Sequence, residues 1–345
     1  MLSALAFDQK SVVGVEINGD ILDTVNGRYG DFTGHLDRHP KVRFVHDEAR
    51  SYVARVSDRF DIIQVSLIDT WAATAAGAFV LSENSLYTVE AWRVFLDHLK
   101  PNGVLTFSRW FRPQPAEMQR LTALAAAALR GFGVRDPRRH IVIVRWVSPP
   151  GAERPEGVGT MLVGRDPFTR QDLAAINAVA ERMNFELVLS PEQSIDPSFG
   201  RIASAKPDDP FLAEFPVNIS APTDDSPFYF HMLRARDLFN WGMWGRQDLE
   251  FNTKAVFVLG VLLAVAPLGF FMGMAFPMGM KQALRRGEAL GPWLWGVNGA
   301  TSVCASVLAV ALALTAGISA AFWIGVGCYA VAWAAFAWAT ARAGS

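Results

Sequence analysis

Cysteine is scarce in this chain, and charge is unevenly spread. The 345 residues hold two cysteines, Cys304 and Cys328. Both fall in apolar stretches, so neither a disulfide framework nor a zinc cluster can be built from them. Neither sign of charge dominates: 32 Lys and Arg stand against 33 Asp and Glu, a net charge of −1. The basic surface expected of a nucleic-acid-binding chain is therefore missing. Charge is nearly absent from the C-terminal part, where residues 255–341 carry only Lys281, Arg285, Arg286 and Glu288. No internal repeat or low-complexity tract is present. The first ten residues reach Asp8 before an apolar core of adequate length develops, so no secretory leader is expected there.

The four charges of the tail interrupt apolar runs long enough to cross a bilayer, which takes about 20 residues for about 30 Å of hydrocarbon. The pattern predicts about three transmembrane helices, over 255–280, 292–315 and 319–341, with Gly317 turning between the last two. The competing reading is a buried helical hairpin in a soluble core. Pro267 and Pro277 are expected to break or kink the first span, and Trp293 and Trp295 open the second where an interfacial aromatic belt would sit. Basic residues flank the first span on both sides, Arg234, Arg236, Arg246 and Lys254 before it and the Lys281–Arg286 cluster after it. The positive-inside rule therefore does not decide orientation. Three spans make a small bundle, so further helices are expected, either upstream or from another copy in a homo-oligomer.

Residues 1–250 alternate as a parallel sheet requires, with short β-branched runs separated by helical stretches. Strands are predicted at 11–17, 41–45, 60–67, 104–108 and 140–146, and helices from 21–26, 49–56, 90–99 and 117–129. The run 60–67, apolar in its centre apart from Gln64, reads as a strand covered on both faces. The expected fold class is a doubly wound, Rossmann-like α/β domain with a nucleotide-type ligand at the carboxyl ends of its strands, followed by the transmembrane segment.

Acidic residues mark those strand ends. Glu16 closes the first strand, where a carboxylate suits the vicinal diol of a ribose; a solvated strand-end glutamate is the alternative. Asp47 and Glu48 follow the second strand, at the height expected for an adenine edge. Ser66 and Asp69 follow the third. His35 and His39 have the spacing of a helical metal pair, but Pro40 follows at once and no third ligand is evident, so no metal is expected. The run Thr223-Asp224-Asp225-Ser226 reads as a cation site, a helix cap or a fixed turn beside a cleft, and Phe228, Tyr229 and Phe230 read as packing.

Several motifs resemble the spermidine synthases, or polyamine aminopropyltransferases, whose fold is that of the class I S-adenosylmethionine-dependent methyltransferases. They are Val15-Glu16-Ile17-Asn18, Asp47-Glu48-Ala49-Arg50-Ser51-Tyr52, the run from Phe60 to Asp69, Leu86-Tyr87-Thr88-Val89-Glu90 and Leu99-Lys100-Pro101-Asn102-Gly103. Pro222-Thr223-Asp224-Asp225-Ser226-Pro227, Gly269-Phe270-Phe271-Met272-Gly273 and Pro292-Trp293-Leu294-Trp295-Gly296 are similar to the membrane-embedded bacterial branch of that family.

The resemblance implies aminopropyl transfer from decarboxylated S-adenosylmethionine to a polyamine. It gives cofactor-binding roles to Glu16, Asp47 and Glu48, catalytic positions to Ser66 and Asp69, and substrate contacts to Asp69 and Tyr87. The family carries two aspartates where this chain has Ser66 and Asp69. A serine neither charges to hold an ammonium nor takes its proton, which keeps open an S-adenosylmethionine-dependent methyltransferase and a noncatalytic membrane sensor or transport module. The family's first strand and glycine-rich loop have no counterpart here, where residues 2–7 already read as the following helix; the resemblance implies that they precede residue 1. It also implies an inner (plasma) membrane, multi-pass protein whose α/β domain lies in the cytoplasm with its cosubstrate.

Overall fold

The computed structural model describes residues 1–68, 84–112, 115–147, 157–206, 208–232 and 234 of the N-terminal part. Of the C-terminal part it describes 265, 269–270, 273–274, 276–281, 284, 290–316 and 318–341. The chain divides into two compact units, Met1–Val258 and Leu259–Ser345.

In the first unit the elements run α1 (Leu2–Ala6), β1 (Val12–Glu16), α2 (Gly19–Asp23), α3 (Gly30–Thr33), β2 (Val42–His46), α4 (Ala49–Arg55), β3 (Phe60–Val65), α5 (Val89–Asp97), β4 (Leu99–Trp110) and α6 (Ala116–Gly131). They continue with β5 (Ile141–Val147), β6 (Gly157–Gly164), α7 (Arg170–Arg182), β7 (Glu186–Leu189), α8 (Pro197–Ser204) and α9 (Pro210–Glu214). Local chemistry sets most helix starts. Asn18, Thr88, Asp196 and Asp209 each accept a backbone N–H of the first turn, and Thr169 with Asp172 forms a reciprocal capping box. Pro197 and Pro210 occupy first-turn positions whose N–H would be unpaired in any case.

The sheet is mixed and comes in two pieces. β1 and β2 pair in parallel, from Val12 opposite Val42 to Glu16 opposite His46. The other five strands lie in the order β3-β4-β6-β5-β7. β3 and β4 are parallel, whereas β4, β6, β5 and β7 pair antiparallel. The all-parallel expectation fails at β5 and β6 because only residues 148–156 join them, too few for the crossover that parallel neighbours need. Among the described residues, no strand pairing joins β1 to β3.

The core lies on one face of the larger sheet. Gly103, Leu105, Phe107 and Arg109 alternate inward along β4, and Trp92, Phe95 and Leu96 of α5 and Leu121, Leu124 and Leu129 of α6 pack over them. The opposite face is partly open. Ile62 of β3 is 52% exposed and lines, with Val104, Thr106, Leu162, Phe168 and Ile176, a groove that α7 borders. The expectation that β3 is covered on both faces is thus corrected.

Arg120, on α6 and only 4% exposed, ties the segment 220–231 to this core. Its Nε donates to the carbonyl of Ser220 at 3.0 Å, and its Nη1 faces the carbonyls of Phe228, Tyr229 and His231 at 3.1, 2.6 and 2.7 Å. Burial pushes the guanidinium down to about 10, so it remains charged at neutral pH. Charged donors aimed at four carbonyls convert a backbone stretch outside the helices and strands into a fixed strap.

In the second unit α10 (Gly291–Ala316) and α11 (Ile318–Ala341) are long helices that expose large apolar side chains around their circumference, among them Trp293, Val303, Trp323 and Trp333. By length and composition alone, one stretch among the described residues, Ser319–Trp338, is apolar enough to cross a membrane. The predicted spans over 292–315 and 319–341 thus correspond to helices. α10 is less apolar than α11 because Asn298, Thr301 and Ser302 lie within it. Most of the predicted span 255–280 lies outside the described residues.

Replacing Arg120 by methionine keeps the bulk and removes every donor, leaving several buried carbonyls unpaired. We expect Arg120→Met to destabilise the unit by about 3 kcal/mol or more, read as a lowered midpoint in urea unfolding of the full chain in detergent. A midpoint within about 0.5 kcal/mol of the wild type would contradict this account of the strap.

Candidate active site

The parallel strands share one carboxyl-end rim. Arg50, just past β2, reaches Thr88 and Asp224, while Tyr87 packs on Phe107 near the end of β4 with ring centroids 5.5 Å apart. Phe107 is level with Val65, the last residue of β3. β1 and β2 form one parallel pair and β3 and β4 another. In open α/β sheets ligands bind outside the carboxyl ends of such strands. Glu16 ends β1 and Ser66 follows β3, so both belong to this rim.

The three candidate carboxylates differ in what they have left to offer. Glu16 is half-buried. Its Oε1 accepts the backbone N–H of Asn18 at 2.9 Å, and among the described residues no donor reaches Oε2. That carboxylate fits a ribose diol. Asp47 accepts the Glu48 N–H at 2.9 Å and is ion-paired with Arg55; the Arg55 hydrogen bond holds its carboxyl below the usual range. Glu48 is committed to helix α4, with Oε1 accepting from Arg50 N at 2.9 Å and Oε2 from Ser51 N at 2.7 Å. It is a helix cap in this structure, not a free acceptor for an adenine edge.

Ser66 is exposed, and Asp69 lies outside the described residues. Tyr87, expected at the substrate, is 1% exposed. Its ring stacks on Tyr229 at 4.4 Å, and its hydroxyl accepts from Arg109 Nη1 at 3.1 Å. Burial pushes its phenol pKa up, so it stays protonated inside the core. His35 and His39 do not share a helix face. His35 bonds Asp31 at 2.9 Å, and the Nδ1 of His39 accepts from Lys41 N. Among the described residues no group of three His, Cys, Asp or Glu is placed to hold a metal.

Sequence patterns missed the buried charges behind the rim. Arg109 donates from Nε and Nη2 to Glu117 Oε2, at 2.9 and 2.6 Å, with Phe230 under its guanidinium at 4.8 Å. The signal was present in the two-residue period of β4, which continues past Phe107 to turn Arg109 inward; the predicted strand stopped one residue short of it. Tyr229 and Phe230 are buried beside this pair and act as packing. The Thr223–Ser226 run is a turn whose Asp224 is paired bidentately with Arg50, Nη1 to Oδ1 at 2.7 Å and Nη2 to Oδ2 at 2.6 Å.

The fold is of the Rossmann-like α/β class with a mixed sheet. No family model matches the sequence. Among solved structures, the chain is similar to a probable spermidine synthase from Corynebacterium glutamicum, at 14% identity over 59% of this chain and 64% of that one, with a TM-score of 0.41. It is similar to a spermidine synthase in complex with the transition-state analogue AdoDATO, at 14% identity over 59% of each chain and a TM-score of 0.33. The N-methyltransferase NodS from Bradyrhizobium japonicum, in complex with S-adenosyl-L-homocysteine, matches at 14% identity over 45% of this chain and 67% of that one, with a TM-score of 0.24. The match to each of the two synthases spans less than two thirds of that protein's length.

The Arg50 hydrogen bond holds the Asp224 carboxyl below its ordinary 3.8, so the sign of its acid response is fixed. The pair's contribution is complete above that value and is lost as pH falls through the lower folded one. Between about pH 5 and pH 3, the wild-type unfolding midpoint is expected to drop more steeply than that of Asp224→Asn. Parallel acid profiles for the two proteins would show that the pair contributes nothing.

Proposed function

We propose that the N-terminal unit binds a cosubstrate of the S-adenosylmethionine type at the carboxyl ends of β1 and β3 and transfers from it an aminopropyl or methyl group. The observation that carries this reading is Glu16, a carboxylate at the end of β1 with one oxygen uncommitted among the described residues. The specific reading is a spermidine synthase-like protein that moves an aminopropyl group from decarboxylated S-adenosylmethionine to a polyamine. Such a cosubstrate supplies a sulfonium whose neighbouring carbon is electrophilic. The protein then has to hold an amine in line with that carbon, exclude competing water and accept one proton. In this proposal Glu16 holds the ribose, Asp69 attracts the cationic amine and takes its proton, and the Ser66 hydroxyl donates a hydrogen bond at the rim. The amine forms the new C–N bond, the C–S bond breaks with its electron pair remaining on sulfur, and the ammonium proton passes to the carboxylate.

Ser66 favours a second reading. Methyl transfer does not require a pair of carboxylates for a polyamine, and one carboxylate with one hydroxyl at the end of β3 suits a less highly charged acceptor. In both readings α10 and α11 anchor the unit in a lipid bilayer, with the α/β unit on the cytoplasmic side of the plasma membrane. The exposed Trp323, Val331 and Trp333 of α11 support the anchor, because a helix apolar all round is stable in water only when buried. A bundle of so few helices favours association with another copy.

Calorimetric titration of the full chain in detergent with S-adenosylmethionine and its decarboxylated form tests the proposal. One of the two is expected to bind, and Glu16→Gln is expected to weaken that binding about tenfold, the loss of one charge-assisted hydrogen bond. Preference for the decarboxylated form selects aminopropyl transfer over methyl transfer. Failure of both to bind would remove the enzyme readings and leave a noncatalytic membrane module as the account of the chain.

A further inference from the structure

The two pieces of the sheet have no backbone pairing between them among the described residues, and other contacts contribute to their relative placement. Apolar contact supplies part of it, since Val13, Val15 and Val45 of the small sheet pack against the main core. Such contact is tolerant of sliding, because it is not directional. Directional contacts come from α4, the helix that follows β2, at its two ends. At its C-terminal end the carbonyl of Val56 lies 3.1 Å from His98 Nε2, beyond α5. At its N-terminal end, on the rim side, Arg50 grips Asp224 of the strap through two bonds.

The rim-side clasp is anchored in the larger half from three directions. Thr88, fully buried, donates its hydroxyl to Asp224 Oδ1 at 2.7 Å while capping α5 through the Ala91 N–H. The backbone N–H of Asp224 donates to Glu90 Oε2 at 3.0 Å. The strap is also tied by Val89 N to the Pro222 carbonyl at 3.0 Å and by Asn84 N to the Pro227 carbonyl at 2.8 Å. Asp224 is thus fixed to α5, and Arg50 is its link to the β1–β2 half. A planar guanidinium on a carboxylate constrains orientation as well as distance.

We propose that Asp224 is a positioning residue which, through Arg50, holds the β1–β2 half in place relative to α5, and so places Glu16 for the nucleoside cosubstrate. The mechanical part of this inference stands on the clasp alone; its ligand part rests on the function proposed above.

Paired spin labels test the two parts separately. The full chain is prepared in detergent with Cys304→Ser and Cys328→Ser, and labels are attached at Asp23→Cys in the small half and Glu181→Cys in the large half, both exposed positions. A narrow distance distribution is expected, broadened and shifted to longer distance by Asp224→Ala and by Arg50→Ala. The double replacement should add nothing further. Raising salt to about 1 M, where the screening length falls to about 3 Å, should broaden the parent protein reversibly, which tests the clasp even if a variant folds poorly. Arg50→Lys, with charge but no fork, should fall between. S-adenosylhomocysteine affinity, measured on the same proteins, is expected to drop about tenfold in Asp224→Ala.

An unchanged distance distribution in the variants and in salt overturns the inference, whatever the ligand does. A broadened distribution with undiminished ligand affinity overturns the positioning role. A broadened distribution in a protein whose parent binds no ligand leaves the clasp in place and overturns the proposed cosubstrate binding instead.

Discussion

Burying an arginine in an apolar core costs several kcal/mol unless its charge and its donors are matched, and two are buried among the described residues of the N-terminal unit. Arg109 and Arg120 are 1% and 4% exposed. The first is matched by Glu117 and by the faces of Phe230 and Tyr87, the second by four carbonyls of the strap. β4 and α6 supply the Arg109–Glu117 pair themselves, but not the aromatic faces over Arg109 or the carbonyls around Arg120. The strap has to return across the rim to supply the carbonyls, and Tyr229 has to lie under Tyr87, where its hydroxyl donates to the Glu117 carbonyl at 2.6 Å. A buried charge left without partners is strongly penalised. The course of residues 220–231, which brings four carbonyls to Arg120, avoids that penalty.

Once the strap is fixed there, Asp224 projects from it toward Arg50, and the small β1–β2 sheet is held at the rim of the large one. The carboxyl ends of β1 and β3 are the kind of place where open α/β sheets bind ligands. Glu16, at the end of β1, has an acceptor to spare among the described residues, whereas Asp47 and Glu48 are consumed by Arg55 and by the first turn of α4. The site therefore relies on fewer carboxylates than strand-end positions alone suggest.

The fold was legible where a single period governed a segment. The amphipathic spacing of Trp92, Phe95, Leu96 and Leu99 located α5, and β-branched runs located β1, β2 and β3 within about two residues, the usual uncertainty of element ends. The antiparallel strands β6 and β7 were not legible, because Gly157–Gly164 carries three glycines and Glu186–Leu189 is only four residues long. The openness of β3 was hidden as well: an apolar run looks the same whether its neighbours cover it or not. At the site, residue type identified Glu16, and the capping role of Glu48 was readable from its place just before a helix. The inward turn of Tyr87 depends on Arg109 and Tyr229, which lie 22 and 142 positions away along the chain, and no local pattern encodes such a partnership.

A nucleoside of the S-adenosylmethionine type is proposed to bind at the carboxyl ends of β1 and β3. Hydrogen–deuterium exchange of the full chain in detergent, with and without S-adenosylhomocysteine, tests it most directly, because protection reports local opening wherever a ligand is held. The account predicts slowed exchange at residues 12–18 and 62–68, at the ends of β1 and β3, with α7 and β7 unchanged. Protection confined to the groove beside α7, or none at saturating ligand, would contradict it.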